Sequence, residues 1–532
     1  MKQPNIILIL VDDMGFSDMG FMGSEIRTPN IDKLASNGIT LTSMYNCARC
    51  CPTRASLLTG LYPHKAGIGW MAVDFGLPGY QGKLRNDSVT IAEALKPAGY
   101  RTLMAGKWHV GGDFDPRQTD LWTFGDVEHP TPRQRGFDRF YGCLDGATSF
   151  FAPHHLMDDD ERVHVETDDF YLTDAISDKA CGMIEESVGD DKPFFLYLAY
   201  TAPHWPLHAP PEDIARYENA YRGGWDALRG SRHESMIATG ALQNPWSLSP
   251  RDKAAPAWQE APHHDWEAQR MAVYAAMVDR MDQGVGRIMG TLERLNVKDD
   301  TLVLFLSDNG GCAEPLCEDG WCKAFPSTLP DGRAIDSGNR TDLRPGGATT
   351  FMSYDLPWSN VSNAPFRQHK HYVHEGGIST PLVAHWPAGI EARGFVHQPF
   401  HVVDVLPTLL QAAGVAYPTE YAGQAIQKVD GESFVPLFKQ PSHQRSAPIY
   451  WEHEGNDAVR MGDWKLVRQY GQDWELYNMV DDRTELNDLS GKSRQMREQM
   501  AGMHAHWATQ VGARPWDELI ARARSRYAEQ KP

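Results

Sequence analysis

Six short aliphatic runs punctuate the chain, and each stops abruptly at polar residues: NIILILV (5–11), GITLTSMY (38–45), RTLMA (101–105), PFFLYLAY (193–200), TLVLFL (301–306) and STPLVAHW (379–386). A strand with one wet face alternates polar and apolar residues, whereas a continuous run has both faces covered. Helical patterns separate the runs. The clearest lies at 271–292, where Met271, Tyr274, Val278, Met281, Val285, Ile288 and Leu292 recur at spacings of three and four. The economical solution is an α/β fold, a large mostly parallel sheet covered by helices on both faces. Near the C-terminus IYWEHEG, AVRMGDWKLVRQY and WELYNM alternate with GD and DD turns between them, and a helical segment follows near 494–508. The expected division is therefore a catalytic domain over 1–439 and a smaller α+β unit with antiparallel strands over 440–532. Two stretches without periodicity, 208–265 and 311–368, read as long cleft-forming loops. Trp225, His233, Trp258, His263, Asp265, Cys312, Cys317 and Cys322 lie there. They are candidates to shape a pocket, with plain packing of the loops as the equal alternative.

Charge and cysteine usage exclude several classes. In 532 residues, 51 Lys and Arg stand against 70 Asp and Glu, a formal charge of −19. Nucleic acid and anionic membrane surfaces are held by basic residues, so neither is an expected partner. The hydrophobic share of 41% fills a core without staples, and eight cysteines are too sparse for a disulfide scaffold. No apolar stretch is long enough to span a bilayer, and the opening MKQPNIILILVDD is too short for a signal peptide. The chain as given reads as cytoplasmic; removal of a signal beforehand would make it periplasmic or secreted. No apolar stripe marks an interface, which leaves the oligomeric state open.

The polar residues just past each run carry the chemistry. Asp12 and Asp13 come after the first, Cys50 to Arg54 shortly after the second, Lys107 and His109 after the third, His204 after the fourth, and Asp308 and Asn309 after the fifth. In a doubly wound sheet such strand ends open on one edge, where ligands bind. Taken singly, an Asp pair is a turn or a helix cap. Taken together, three carboxylates and an amide form a hard oxygen set suited to Ca²⁺ or Mg²⁺ rather than zinc. Cys50 opens CCPTRASLLTG, which reads as the start of a helix whose N-terminus favours an anion, with Arg54 adding a fork of donors. An unmodified thiolate nucleophile and a buried cysteine before a capped helix are both compatible with that segment.

The sequence resembles the type I sulfatases, the arylsulfatase family of the alkaline phosphatase superfamily. Its signature, Cys-x-Pro-Ser/Thr-Arg before a short helix and Thr-Gly, fits CCPTRASLLTG from Cys50 to Gly60. PNIILILVDDMGFSDMG, GKWHVG, TAPHWP, LFLSDNGG, KHYVHEGGISTP and GDWKLV occur in family order. The resemblance implies that a separate sulfatase-maturing enzyme oxidises Cys50, not Cys51, to 3-oxoalanine (Cα-formylglycine), whose hydrate is the nucleophile. Asp12, Asp13, Asp308 and Asn309 would hold the metal, Ca²⁺ by resemblance with Mg²⁺ as the alternative, and modified Cys50 would also touch it. Arg54 would orient the diol, and Lys107 and Lys370 would hold sulfate and leaving oxygens. His204 would protonate the leaving group, and His109 would deprotonate the second hydroxyl to expel sulfate. Asp308 would assist the attack.

The function so implied is hydrolysis of a sulfate monoester, of a small molecule or a carbohydrate, to an alcohol or phenol and inorganic sulfate. Two alternatives stand beside it. One is a phosphonate or phosphate ester hydrolase of the same superfamily; the other is a non-catalytic protein that binds a sulfated glycan.

Overall fold

The computed structural model describes residues 3–112, 123–165, 169–190, 192–317 and 325–529. Ten strands form its main sheet: β1 (Asn5–Val11), β2 (Ile39–Leu41), β3 (Arg101–Gly106), β4 (Arg139–Cys143), β5 (Leu156–Asp158), β6 (Glu161–Val163), β7 (Phe194–Ala199), β8 (Thr301–Ser307), β9 (Leu382–His385) and β10 (Gly394–Val396). Their spatial order is β10-β2-β9-β8-β1-β7-β3-β4-β5-β6. The central strands β8, β1, β7, β3 and β4 are parallel. β9 runs antiparallel to both of its neighbours, and β5 and β6 close the far edge antiparallel. The run at 38–45 divides: β2 stays in the sheet, while Met44 and Tyr45 leave it to pair with Phe400 and His401.

The continuous apolar runs have a simple cause. Ile7, Ile9 and Val11 of β1 enter one hydrophobic core, and Ile6, Leu8 and Leu10 enter another on the opposite face. β7 and β8 divide their side chains in the same way. The first core is covered by helices over Pro29–Ser36 (α1), Leu172–Val188 (α3) and His264–Arg294 (α5), and the second by Cys50–Thr59 (α2) and Val405–Ala413 (α6). α5 extends the periodic segment at both ends and buries the whole stripe from Met271 to Leu292.

Both expected loops are partly helical, and 311–368 carries a helix over Asp355–Ser362. Within 208–265 the helix α4 spans Trp225–Thr239, and Trp225 and Trp258 meet edge to face at 4.7 Å, with Trp358 5.4 Å from Trp225. These indoles belong to the first core, so packing is what their large apolar rings do. His233 bonds the Trp246 carbonyl at 2.8 Å, and His263 caps α5 in a left-handed conformation. Asp265 sits exposed in the first turn of α5. Cys312 is buried and Cys317 exposed, both as thiols, while Cys322 lies outside the described residues.

At the C-terminus β11 (Ile449–His453), β12 (Asn456–Met461), β13 (Trp464–Arg468) and β14 (Glu475–Asn478) form an antiparallel meander. The helix α7 (Arg494–Val511) lays Met500 against Val459, Leu466 and Leu476. A last helix, α8 (Trp516–Glu529), packs Leu519 on Phe75 and Tyr80. Among the described residues, no helix is long and apolar enough to cross a membrane.

Candidate active site

Register brings the polar strand ends together. Val11 of β1 lies opposite Ser307 of β8, and the Asp308 N–H donates to the Val11 carbonyl at 3.0 Å, so Asp12-Asp13 and Asp308-Asn309 emerge side by side. On the other flank Gly106 lies opposite Ala199, and the Lys107 N–H donates to the Ala199 carbonyl at 2.7 Å. Asp13 and His109 both leave their strands with positive φ, 68° and 57°. Such backbone is costly away from glycine and is found where a side chain must be aimed.

Eight of the ten expected site residues form one contact network. Arg54 Nη2 donates to Asp308 Oδ2 at 2.8 Å and stands 3.6 Å from Asp12 Oδ2, which also receives Lys107 Nζ at 2.6 Å. Lys370 Nζ reaches Asp13 Oδ1 at 2.8 Å and His204 Nε2 at 3.4 Å, and Asn309 Nδ2 donates to Asp13 Oδ1 at 2.6 Å. The other two, Cys50 and His109, cluster with Cys51 so that their ligating atoms lie within 4.8 Å of one another. Cys50 opens α2, a helix buried from end to end, and Thr53 accepts from the Cys47 N–H at 2.9 Å instead of capping the helix.

The electrostatics pull the two neighbouring carboxylates in opposite directions. Burial alone would raise the Asp12 pKa, yet Lys107, His204 and Arg54 hold it at about 2. Asp308 moves the other way: burial and the charge of Asp12 lift it well above the carboxylate range despite Arg54. Two carboxylates so close cannot both ionise freely, a conflict that a divalent cation removes. Two buried acceptors, Asp12 Oδ1 and Asn309 Oδ1, have no hydrogen-bond partner among the described residues. Unmet oxygens on a hard donor set are what an oxygen-seeking cation requires.

The proton-handling groups are tuned by burial. His109 is pushed down to about 4 by burial, and His204 is also lowered by burial, with Asp13 opposing. Both imidazoles are thus neutral near pH 7. The Cys50 thiol lies well below its usual range through its hydrogen bond with Cys51, with Lys107 and His109 adding to the shift. Burial and the neighbouring sulfur raise Cys51, which stays a thiol 3.1 Å from His109 Nε2.

Residue patterns missed two features. Cys51, at the position the family signature leaves free, touches His109. Arg49 pairs with Glu314 at 2.8 Å, and Trp205 Nε1 donates to the same carboxylate at 3.0 Å beside His204. Glu314 sits in an aperiodic segment, where nothing local signals such a contact. His64 bonds Glu452 at 2.8 Å and stands apart from this network.

Comparison with known proteins decides the family. A family model described as Sulfatase matches residues 4–415, and a second, N-sulphoglucosamine sulphohydrolase, C-terminal, matches 367–510. The chain belongs to the sulfatase family. It is a formylglycine-dependent hydrolase of the arylsulfatase type within the alkaline phosphatase superfamily, acting on sulfate esters. An uncharacterised sulfatase of Schizosaccharomyces pombe is 32% identical, covering 92% of this chain and 90% of that protein. The arylsulfatase of Klebsiella aerogenes is 35% identical over 84% of this sulfatase and 95% of its own length. Among solved structures, Ps i-CgsB in complex with k-i-k-neocarrahexaose superposes with a TM-score of 0.68 at 28% identity, covering 95% of this chain and 93% of that one.

Proposed function

We propose that this sulfatase cleaves a sulfate monoester of a carbohydrate or an aryl alcohol at the cluster centred on Cys50. The observation that carries the reading is the convergence of a buried thiol at a helix start with four oxygen ligands, two lysines, an arginine and two neutral histidines. Asp12, Asp13, Asp308 and Asn309 would hold Ca²⁺, with Mg²⁺ the alternative, and the ion would polarise the sulfate oxygens. Cys50, oxidised to 3-oxoalanine by a separate maturing enzyme, would supply a hydrated aldehyde with one hydroxyl to attack sulfur and a second to release sulfate.

The surrounding residues do the rest. Arg54 is buried and anchored on Asp308, so its fork is fixed before substrate arrives, which limits reorganisation during reaction. Lys107 and Lys370 are pinned on Asp12 and Asp13 and present positive charge to an anionic ester. Aspartate neighbours hold both ammonium groups charged against the cost of burial. His204 Nδ1 donates to the Trp205 carbonyl at 2.6 Å, so in the neutral ring Nε2 accepts from Lys370 Nζ at 3.4 Å, and a proton for the departing oxygen would come from that ammonium or from Nε2 after it has taken the proton from Lys370. His109, neutral and beside Cys50, is placed to accept a proton there.

A cavity of about 770 Å³ lies on the far side of Trp205 from His204, lined by none of the catalytic side chains, so only a long leaving group would extend to it. Phe325 and Phe351 line it with Arg162 and His164, and Trp205 packs on the two phenyl rings at 5.7 and 5.8 Å. Flat rings beside polar donors suit a sugar or an aryl face.

Protein co-produced with a maturing enzyme should hydrolyse aryl and carbohydrate sulfates faster than phosphonate monoesters. The peptide carrying Cys50 should weigh about 18 Da less than its thiol form. Cys50→Ser should abolish sustained turnover. Dominant phosphonate activity, or multiple turnovers by pure C50S protein, would overturn the reading.

A further inference from the structure

A second group of metal-ligating side chains lies outside the catalytic network. His371, His453 and Glu454 each place a ligand atom within 4.8 Å of the others. Two elements supply them. His453 ends β11 and Glu454 begins the turn to β12, while His371 comes directly after Lys370 in the segment leading back to the main sheet. The side chains of Lys370 and His371 part company: Lys370 reaches Asp13 in the catalytic site, whereas His371 Nδ1 meets Glu454 Oε2 at 2.5 Å. His453 Nε2 stands 3.7 Å from Glu454 Oε1.

An ion pair between His371 and Glu454 does not account for His453. That ring is 1% exposed, and neither of its nitrogens has a hydrogen-bond partner among the described residues. Desolvating an imidazole without a partner costs free energy, and a ligated cation meets that need. Two imidazoles and one carboxylate are the donors of a first-row transition dication rather than of Ca²⁺ or Mg²⁺. Bonds of about 2.0–2.1 Å in tetrahedral geometry put ligand atoms roughly 3.3 Å apart; His371 Nδ1 is nearer than that to one carboxylate oxygen and His453 Nε2 farther than that from the other, so seating an ion asks for small shifts of these side chains. Supporting contacts are present. Trp70 Nε1 donates to Glu454 Oε1 at 2.5 Å, and the His371 N–H is tied to the Ala48 carbonyl at 2.8 Å. Outer contacts of this kind orient metal ligands. The nearby cation Arg49 is paired with Glu314.

We infer that His371, His453 and Glu454 form a second metal site, one that takes a zinc-like dication with water completing the tetrahedron and ties the β11–β12 turn to the segment carrying Lys370. The test is titration of chelator-stripped full-length protein with Co²⁺. One equivalent should give the strong visible absorption of a tetrahedral nitrogen–oxygen site, and Zn²⁺ should displace it. His453→Ala should weaken Co²⁺ binding at least roughly 100-fold, more than the loss of an outer-shell contact costs. His371→Ala alters a partly exposed side chain, leaves the buried ring in place, and should do the same with an unchanged circular dichroism spectrum. Absence of the band in the parent protein would overturn the site. So would a band that survives both substitutions or is lost with Asp13→Asn, which would place the ion among the catalytic oxygens.

Discussion

Arg54 shows how much of the site rests on single buried charges. Its side chain is fully buried, lies 2.8 Å from Asp308 and 3.6 Å from Asp12, and donates to the Lys107 carbonyl at 3.0 Å. Truncating one member of such a group strands its partners without solvent, at a cost of about 3–5 kcal/mol. Arg54→Ala should therefore lower the free energy of unfolding by that amount, read from a lower urea midpoint at unchanged m, as well as remove activity. An equally stable variant that is merely inactive would mean that Arg54 contributes to the chemistry alone. At this scale all the residues bearing the family pattern but Lys370 were legible because they come after an apolar run or sit in the Cys50–Arg54 segment, whereas Lys370 was legible only through KHYVHEGGISTP. The contact of Cys51 with His109 was not, since the residue after Cys50 is free in that pattern and only the fold brings His109 to it.

Elements position those residues through close backbone approach. Gly106 ends β3 with φ +117°, and a Cβ there would lie 1.8 Å from the Ala199 carbonyl oxygen. No side chain fits without parting β3 from β7, and Lys107 is the next residue. Gly106→Ala should destabilise the sulfatase by more than about 3 kcal/mol. The remaining folded protein should lose kcat rather than gain KM, as measured by denaturant titration and steady-state kinetics. The sheet was readable in outline because burial on both faces leaves an unbroken apolar run. The short strands β5, β6 and β10, at or next to the sheet edges, were not readable, being three residues each with little apolar pattern. The helix α4 escaped for another reason. Its buried side includes Arg229 and Arg232, which bond Ser249 and Asp18, so the stripe that usually signals an amphipathic helix is partly charged.

For the molecule as a whole, acid is the expected weakness. His208 Nδ1 accepts from the Phe150 N–H at 3.3 Å while Nε2 faces the Thr350 carbonyl at 2.6 Å, and His401 Nδ1 accepts from the Val403 N–H at 3.3 Å. Burial lowers the two to about 4 and about 3 from an ordinary 6.5. The unfolded chain therefore binds the extra protons first. The stability these neutral rings contribute is fully present above pH 6.5 and is lost as pH falls toward the folded values, at about 1.4 kcal/mol per pH unit for each. Urea unfolding monitored from pH 7 to pH 5 should show a steady fall in stability; a flat profile would contradict the assignment. The order of the sheet has a further consequence, one of timing. β1 leaves the ribosome first, yet it lies between β7, which starts at residue 194, and β8, which starts at 301. At roughly 5–20 residues per second the first strand waits on the order of 15–60 s for its second neighbour. The core that encloses α2 also draws on Val402, Val405 and Leu406, so Cys50 reaches its buried position only after that stretch of chain has been made as well.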